Sequence, residues 1–350
     1  MRHELSFVVV CFLVAILRSD KQLSLSVIHR SMQEDFEFLS DLLDVNFNKC
    51  VSYSQLKRIL RTIDYQLFNE INSLYFNAHI ASNGSEWYSL DGKELRGTID
   101  KSIGKKRGMS IVNLTNHHSR HSEIIGSYDA TKASEKPVIS TYLEEADIKA
   151  KKFSFDSLHT SMANLKKIEQ KEGVYLAQLK GNQKNTLAVC KELHRNGLEL
   201  QKENQIEQGH GRIEERTYWG YNLEISTLSA GWKQTGCCSL IVVNRGRYNT
   251  KTKKESHEEC YWVSNQTIDS KSFAEFTTPI RNHWSIEVHH QIRDVQMGED
   301  KMKISCKKEA LVVASFLTVA VNLLENHGGS IPILREKLTK NKPLIHTVFK

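Results

Sequence analysis

The chain has 350 residues, of which 39% are hydrophobic, and 48 Lys and Arg against 41 Asp and Glu give a formal net charge of +7. A chain this long and this apolar can bury a sizeable core in two or more domains, which argues against a disordered protein. The basic excess favours a polyanionic partner, because Lys and Arg that neutralise phosphates release condensed counterions, although an ordinary soluble basic protein fits the same composition.

Cysteine usage and the apolar N-terminus bear on where the protein works. Seven cysteines are scattered without a CxxC pair, which indicates neither a disulfide framework nor a zinc ribbon and favours reduced cytoplasmic thiols. The apolar run from Phe7 to Leu17 is shorter than the about 20 residues that span a bilayer, and no small-residue cleavage site precedes Arg18 and Asp20. We therefore predict a buried helix here rather than a targeting segment, and no membrane partner.

Residues 1–84 are predicted to form a helical N-terminal domain. Apolar residues recur there at helical spacing in two groups. These are Phe36, Leu39, Leu42 and Leu43, and then Leu67, Ile71, Leu74 and Tyr75. Ser52 or Ser54 could cap a helix that runs to Ile63, and Ser-Asn-Gly-Ser at residues 82–85 has the composition of a turn that closes the domain.

Beyond residue 84 the pattern changes to short strands and helices. The predicted order is strands at 87–91, 109–115 and 123–128, a helix at about 135–146, a strand ending at Phe155-Asp156, a helix at about 161–170 and a strand at 174–179. Three strands followed by helix, strand, helix and strand predict an α/β fold with a mixed sheet and flanking helices. Residues from about 182 to 275 resemble a β-rich insertion. Two apolar helices follow, through Ile280–Val295 and Leu311–Leu324, and a tail covers 331–350.

Three acidic residues are candidates for metal-dependent chemistry. Asp91 and Asp156 each follow an apolar strand, so strand ends could bring them together. Glu287 shares a predicted helical face with Ile280 and Trp284, and a carboxylate on a buried face needs a reason. Two metal ions that cut a phosphodiester need carboxylates of this kind as ligands, and hard oxygen ligands suit Mg²⁺ or Mn²⁺. Taken singly, Asp91-Gly92 also fits a plain turn and Glu287 a solvated helix.

Several sequence blocks, in this order, resemble segments of the ISAs1 group of insertion-sequence transposases, also called H-repeat-associated proteins. Residues 90–97, LDGKELRG, resemble that group's DGK-x-LRG segment. The further blocks are FDSLHT at 155–160, LKGNQK at 179–184, GHGRIEER at 209–216, YWVS at 261–264, HWSIE at 283–287, DV at 294–295 and GED at 298–300. The blocks cover most of the chain, and their ordered agreement is more specific than any single block.

The resemblance implies an RNase H-like catalytic domain of the DDE type over residues 85–330. It places Asp91 on the first strand, Asp156 on the fourth and Glu287 on a helix after the insertion, as ligands of two Mg²⁺ or Mn²⁺ ions. Related transposases often carry a Y-x2-R-x3-E-x6-K signature, whose Tyr, Arg and Lys positions are Ile280, His283 and Asp294 here. That departure puts details such as hairpin formation in doubt more than the triad.

Other residues could contact DNA, each with an ordinary alternative. The candidates are Lys93, Arg96, Lys180, Lys184, Arg212, His283 and Trp284. Lys93 and Arg96 open a cationic stretch that could neutralise phosphates or form a solvated hairpin. Trp284 could stack on an unstacked base or lie in the core. His283, His289 and His290 could bind a metal, but at helical spacing satisfied or solvent-facing histidines are the plainer interpretation.

The sequence thus predicts a DNA transposase that cuts and joins double-stranded DNA. The ends of the insertion sequence and the target would be its substrates, the N-terminal helices would recognise the ends, and a homodimer would hold two ends together. The predicted location is the bacterial cytoplasm, at the nucleoid. Two rivals stay open: an inactive or domesticated DNA-binding remnant, and a metal-dependent nuclease that cuts without joining.

Overall fold

A computed structural model describes residues 4–19, 23–77, 86–209, 211–269 and 273–349. The chain forms two compact units. The first combines Met1–Ala81, Asp91–Ile139 and Trp284–Lys350, and the second combines Ser82–Leu90 with Ser140–His283.

The helices and strands, in chain order, have the following bounds. The helices are α1 Leu5–Arg18, α2 Leu25–Glu34, α3 Phe36–Leu42, α4 Tyr53–Thr62, α5 Tyr65–Asn77, α6 Glu135–Glu145, α7 Met162–Gln170, α8 Lys184–Arg195, α9 Ala274–Asn282, α10 Ser285–Gln291, α11 Lys307–His327, α12 Ile331–Lys340 and α13 Ile345–Val348. The strands are β1 Trp87–Glu94, β2 Met109–Asn116, β3 Ser122–Asp129, β4 Lys152–Phe155, β5 Val174–Leu179, β6 Gln201–Gly209, β7 Arg212–Asn222, β8 Ser239–Asn249 and β9 Glu255–Ser264.

The fold is mixed α/β, and the residues that the structure describes include nine strands in the order β3-β2-β1-β4-β5-β9-β8-β7-β6. Strands β1, β4 and β5 run parallel, whereas β2 with β3 and β5 through β9, β8, β7 and β6 pair antiparallel. The predicted succession of three strands, helix, strand, helix and strand is confirmed. Strand β1 belongs to both units, because its residues up to Leu90 lie in the second and those from Asp91 in the first.

Helix α11 lies in the core of the first unit. It is long and apolar enough to cross a membrane by length and composition, but 83% of its most apolar stretch is buried inside the protein, as expected of a core helix. Helix α1 packs against it through Phe12 and Phe316, and most α1 side chains from Phe7 to Arg18 are buried. The predicted buried helix at Phe7–Leu17 is therefore confirmed.

Local sequence explains where α4 begins. The Ser52 hydroxyl accepts the backbone N–H of Gln55, and the Gln55 side chain accepts the backbone N–H of Ser52. This reciprocal capping box satisfies two donors that the first turn of a helix leaves open. Of the two predicted caps, Ser52 is the one used. Residues 331–350, predicted as a tail, contain α12 and α13, whose Ile331, Leu334 and Leu338 are buried.

The second unit has its own apolar core on one face of the sheet. Trp87, Leu176, Tyr218, Ile241 and Trp262 are buried there. Helix α9 contributes Phe276 and Ile280 to the same core. The strands expected between residues 182 and 275 are confirmed, and they continue the sheet because β9 pairs with β5.

Two local expectations are wrong. Strand β1 continues to Glu94, so Asp91 lies inside a strand rather than at its end. The single helix predicted through Ile280–Val295 is instead α9, a turn at residues 283–284, α10, and one π-helical turn at Ile292–Gln296. The break shifts the helical phase, so that Ile280 is buried whereas Trp284 and Glu287 are exposed, and the three do not share a buried face.

Candidate functional site

Two carboxylates meet in the first unit. Asp91 in β1 and Glu135 in the first turn of α6 each offer an oxygen, and these oxygens lie within 4.8 Å of each other. Carboxylate oxygens are ligands of Mg²⁺ and Mn²⁺. Asp91 and Glu135 could therefore hold a metal ion together, although no DDE motif predicted Glu135.

Gly92 makes room for Glu135. A Cβ atom built on Gly92 would lie 1.8 Å from Glu135 Oε2, a distance that real Cβ atoms do not tolerate. The glycine that follows the first acid is thus explained by the approach of the second acid. A glycine directly after Asp91 is therefore a sequence feature that indicates a close contact at this position, but it does not identify Glu135 as the contacting residue.

His290 of α10 lies beside Asp91. Its Nε2 lies 2.8 Å from the Asn113 amide nitrogen, and its Nδ1 lies 3.6 Å from Asp91 Oδ2. Burial and the nearby charges of Arg293 and Lys93 hold the pKa of His290 well below its ordinary value, so the ring is neutral.

A charged network joins two of the sequence blocks. Lys93 Nζ lies 2.6 Å from Asp294 Oδ1 and 3.7 Å from Glu299 Oε2. The fully buried Arg293 also binds Glu299, at 2.5 Å, and donates to Thr318 Oγ1 at 3.0 Å. The block around Asp91 is therefore held against the block at residues 293–300. Lys93 is buried in this network, so in this structure its ammonium neutralises acids.

The contact between the block around Asp91 and the residues that follow Arg293 also includes Arg96 and Gly97. Arg96 pairs with Asp300 at 3.1 Å, and a Cβ on Gly97 would lie 1.8 Å from the Met302 carbonyl oxygen. Burial and the charge of Asp294 raise the pKa of the Asp300 carboxyl. Both glycines of the LDGKELRG block are thus required by close approach rather than by turn geometry.

Glu287 lies on α10, one turn before His290. Residues three apart lie on neighbouring positions of a helix surface, so Glu287 shares a side of α10 with the residue that contacts Asp91. Its side chain is exposed. The structure therefore places Asp91 and Glu287 in the same unit.

Asp156 lies in the second unit, directly after β4. Its Oδ1 accepts the backbone N–H groups of Leu158 at 2.9 Å and His159 at 3.0 Å, which fixes the turn. The parallel register pairs Ser89 with Ser154. Asp156 thus follows the last β4 residue that pairs with β1 by two positions.

The block that follows β5 supports the turn after Asp156. The Asn182 amide donates to the Ser157 carbonyl at 2.6 Å, and the Gln183 amide donates to the Thr160 carbonyl at 3.0 Å. Two further blocks of the sequence, FDSLHT and LKGNQK, are therefore in direct contact. Lys180 and Lys184 flank this contact and are exposed.

The remaining predicted DNA contacts lie in different surroundings. His283 is buried, shares a hydrogen bond of 2.7 Å with Ser154 Oγ and packs edge-on against Trp262. Trp284 is 51% exposed, so it is not a core residue. Arg212 is half-exposed and pairs with Glu214 at 3.0 Å.

Sequence comparisons give relatives but no family model, since no protein-family model matches the chain. It is 27% identical to "Putative protein YbfL" of Escherichia coli strain K12, over 97% of this chain and 90% of that protein. It is 27% identical to "H repeat-associated putative transposase YhhI" of the same strain, over 82% and 77% of the two chains. It is 28% identical to "Putative transposase YncI" of Escherichia coli O157:H7, over 84% and 76%. Similarity of this extent to proteins so named supports a transposase family.

Proposed function

We propose that this chain is a DNA transposase of the ISAs1 group, with an RNase H-like DDE catalytic domain. The observation that carries the proposal is the pair of carboxylates that Asp91 and Glu135 bring within 4.8 Å of each other, the kind of oxygen ligands that Mg²⁺ and Mn²⁺ take. Glu287, on the helix whose His290 contacts Asp91, completes the acidic triad. Relatives named as transposases support a nucleic-acid-processing enzyme.

Asp91, Asp156 and Glu287 would hold two Mg²⁺ or Mn²⁺ ions, and the carboxylate pair of Asp91 and Glu135 fits such ligands. When bound, two such ions activate the attacking oxygen and stabilise the leaving oxygen of a phosphodiester. The protein's own part is to fix the carboxylates. His290 lies beside Asp91, and the backbone N–H groups of Leu158 and His159 hold one Asp156 oxygen.

The DNA would be held by groups outside the acidic cluster. Arg96, Lys180, Lys184 and Arg212 are exposed cations suited to the phosphate backbone. The exposed ring of Trp284, three residues before Glu287, is suited to stacking on an unstacked base. His283, which is buried against Ser154, positions the start of the HWSIE block. Lys93 balances the charge of Asp294 and Glu299.

The larger assembly follows from the same proposal. The helices of residues 1–84 would recognise the ends of the insertion sequence, residues 85–330 would carry the chemistry, with an insertion at about 182–275, and a homodimer would hold two ends in the cytoplasm, at the nucleoid. These assignments rest on similarity rather than on geometry.

The test is strand cleavage and joining on DNA that carries the terminal repeats of the element. We expect activity only with Mg²⁺ or Mn²⁺, and a loss of at least about 100-fold in Asp156→Asn and Glu287→Gln, because each removes one charged ligand without changing its shape. Glu192→Gln, on the exposed surface of α8, is the matched control and should keep native activity.

Each rival function has its own outcome in this assay. Cleavage without joining, lost in the same variants, would identify a nuclease. DNA binding without cleavage, unaffected by the substitutions, would identify a non-catalytic DNA-binding protein and overturn the proposal.

A further inference from the structure

Three arginines of the second unit converge on one buried carboxylate. Glu214, the third residue of β7, is 4% exposed. Its Oε1 lies 3.0 Å from the Nε atoms of both Arg212 and Arg247, and its Oε2 bonds to Arg216. A single carboxylate thus positions three guanidinium groups.

Strand pairing produces this cluster. Glu214 is registered with Glu207 of β6 on one side and with Arg247 of β8 on the other. Arg212, Glu214 and Arg216 alternate along β7, so they project from the same face of the sheet. Glu207 in turn binds Arg216 at 3.1 Å.

The row of charges begins at the end of α9. Arg281 in the last turn of α9 binds Glu207 with its Nε and terminal nitrogen atoms, at 3.2 and 2.8 Å. Tyr218, two residues after Arg216 on the same face, belongs to the apolar core that α9 covers. The face of the sheet is therefore apolar under α9 and lined by arginines beyond it.

The cluster has more positive than negative charge. It contains four arginines, at positions 212, 216, 247 and 281, and two glutamates, at 207 and 214. Arg216 is buried, but Arg212 and Arg247 keep 45% and 38% of their side chains exposed. Glu214 thus orients two arginines whose side chains are partly exposed to solvent.

The neighbouring turn adds charge of the same sign. Residues 249–254, between β8 and β9, read NTKTKK, with Lys251, Lys253 and Lys254 exposed. Lys251 lies close to the backbone beside Arg212, because a Cβ on Gly211 would be 3.7 Å from its Cε atom. The arginines around Glu214 and the lysines of this turn therefore form one continuous basic surface.

We propose that the arginines around Glu214, with the lysines of the turn at 249–254, form a second binding surface for the phosphate backbone of DNA. The proposal rests on the proposed function, in that DNA is the substrate. Guanidinium groups held in fixed orientation match the paired oxygens of a phosphate, and their attraction to a polyanion requires no base sequence. The surface would position the duplex rather than take part in the chemistry.

The test is DNA affinity measured by fluorescence anisotropy across a salt series, for the full chain and four variants. Each phosphate contact contributes about 0.9 to the slope of log K against log salt. Arg212→Ala and Arg247→Ala should each weaken binding about three- to tenfold and lower the slope by about 1, on duplexes of any sequence. Lys149→Ala is the matched control, since Lys149 is exposed and pairs one to one with Glu172 at 2.7 Å.

Arg247→Lys separates geometry from charge, because lysine keeps the charge but lacks the planar fork. We expect this variant to retain most of the slope but lose part of the affinity. Circular dichroism of each variant, unchanged from native, excludes loss of fold as the cause.

The outcomes separate the two proposals. No DNA binding by the native chain would overturn the proposed function. Native DNA binding with the same affinity and slope in Arg212→Ala and Arg247→Ala would overturn the second surface, and with it the DNA contact proposed for Arg212, but not the proposed catalysis by the acidic triad. Variants that lose binding to polyglutamate but keep binding to DNA would show that the surface recognises an acidic protein instead, which also overturns it.

Discussion

At the scale of single residues, Gly92 of the LDGKELRG block is explained by a close contact with Glu135 that the block itself does not predict. Gly92 has an ordinary backbone conformation, and what it lacks is a side chain where the Glu135 carboxylate lies. The requirement is therefore steric. It can be tested without removing any charged group.

We expect Gly92→Ala to displace the Glu135 carboxylate from Asp91 and to reduce cleavage by at least about tenfold, with little change in melting temperature, because an alanine is acceptable to the backbone here. The comparison is Gly209→Ala, whose Cβ would meet nothing within 4 Å. Combining Gly92→Ala with Glu135→Asp, one methylene shorter, should recover part of the activity. Native cleavage rates in Gly92→Ala would show that the contact has no role.

The sequence predicted Asp91, Asp156 and Glu287 by resemblance, but it could not predict Glu135 or His290 as neighbours of Asp91. Glu135 begins a helix whose first turn commonly carries an acid, so its presence there is unremarkable in the sequence. His290 lies 199 positions from Asp91 along the chain, and only the packing of α10 beside β1 and β2 brings it to 3.6 Å. Such contacts are set by tertiary packing, which periodicity does not encode.

At the scale of elements, periodicity predicted which segments are helical better than which face is buried. The α5 residues Leu67, Ile71 and Leu74 have helical spacing, yet they are exposed, whereas Asn69 and Asn72 of the same helix are buried. Strands β6 and β7 show the opposite case. They carry many charges and lack a clean apolar alternation, and they form because each finds partners along its whole length.

The contact between α1 and α11 allows a quantitative test of the hydrophobic core of the first unit. Phe12 and Phe316 are both buried, with ring centroids 4.9 Å apart in an edge-to-face arrangement. We expect Phe12→Ala to lower the free energy of unfolding by about 3–5 kcal/mol, since it removes buried ring area and leaves a cavity. Leu198→Ala, 75% exposed, should change it by less than about 0.5 kcal/mol.

Denaturant unfolding followed by circular dichroism measures this difference. An unchanged slope with a lower midpoint would assign the effect to the native core. A loss in Phe12→Ala no larger than in Leu198→Ala would show that α1 does not pack on α11 as described.

At the scale of the whole molecule, the acids divide between the two units, with Asp91, Glu135 and Glu287 in the first and Asp156 in the second. Metal binding can be measured independently of catalysis, through its effect on the stability of the folded chain. A ligand that binds only the folded chain stabilises it by about 2.7 kcal/mol when present at 100 times its dissociation constant. The stabilisation is largest where carboxylates of like charge lie close together, because the bound ion relieves their repulsion.

We expect saturating Mg²⁺ or Mn²⁺ to raise the melting temperature of the native chain by a few degrees, and chelation to reverse the rise. The increase should fall by more than half in Asp91→Asn and in Glu135→Gln, because these two carboxylates lie within 4.8 Å of each other. It should persist in Glu192→Gln, whose carboxylate lies on the exposed surface of α8. Equal increases in all four proteins would place metal binding elsewhere on the chain. A rise lost in Asp91→Asn but intact in Glu135→Gln would restrict the ligands to the triad, because Glu135 would then approach Asp91 without sharing its ion.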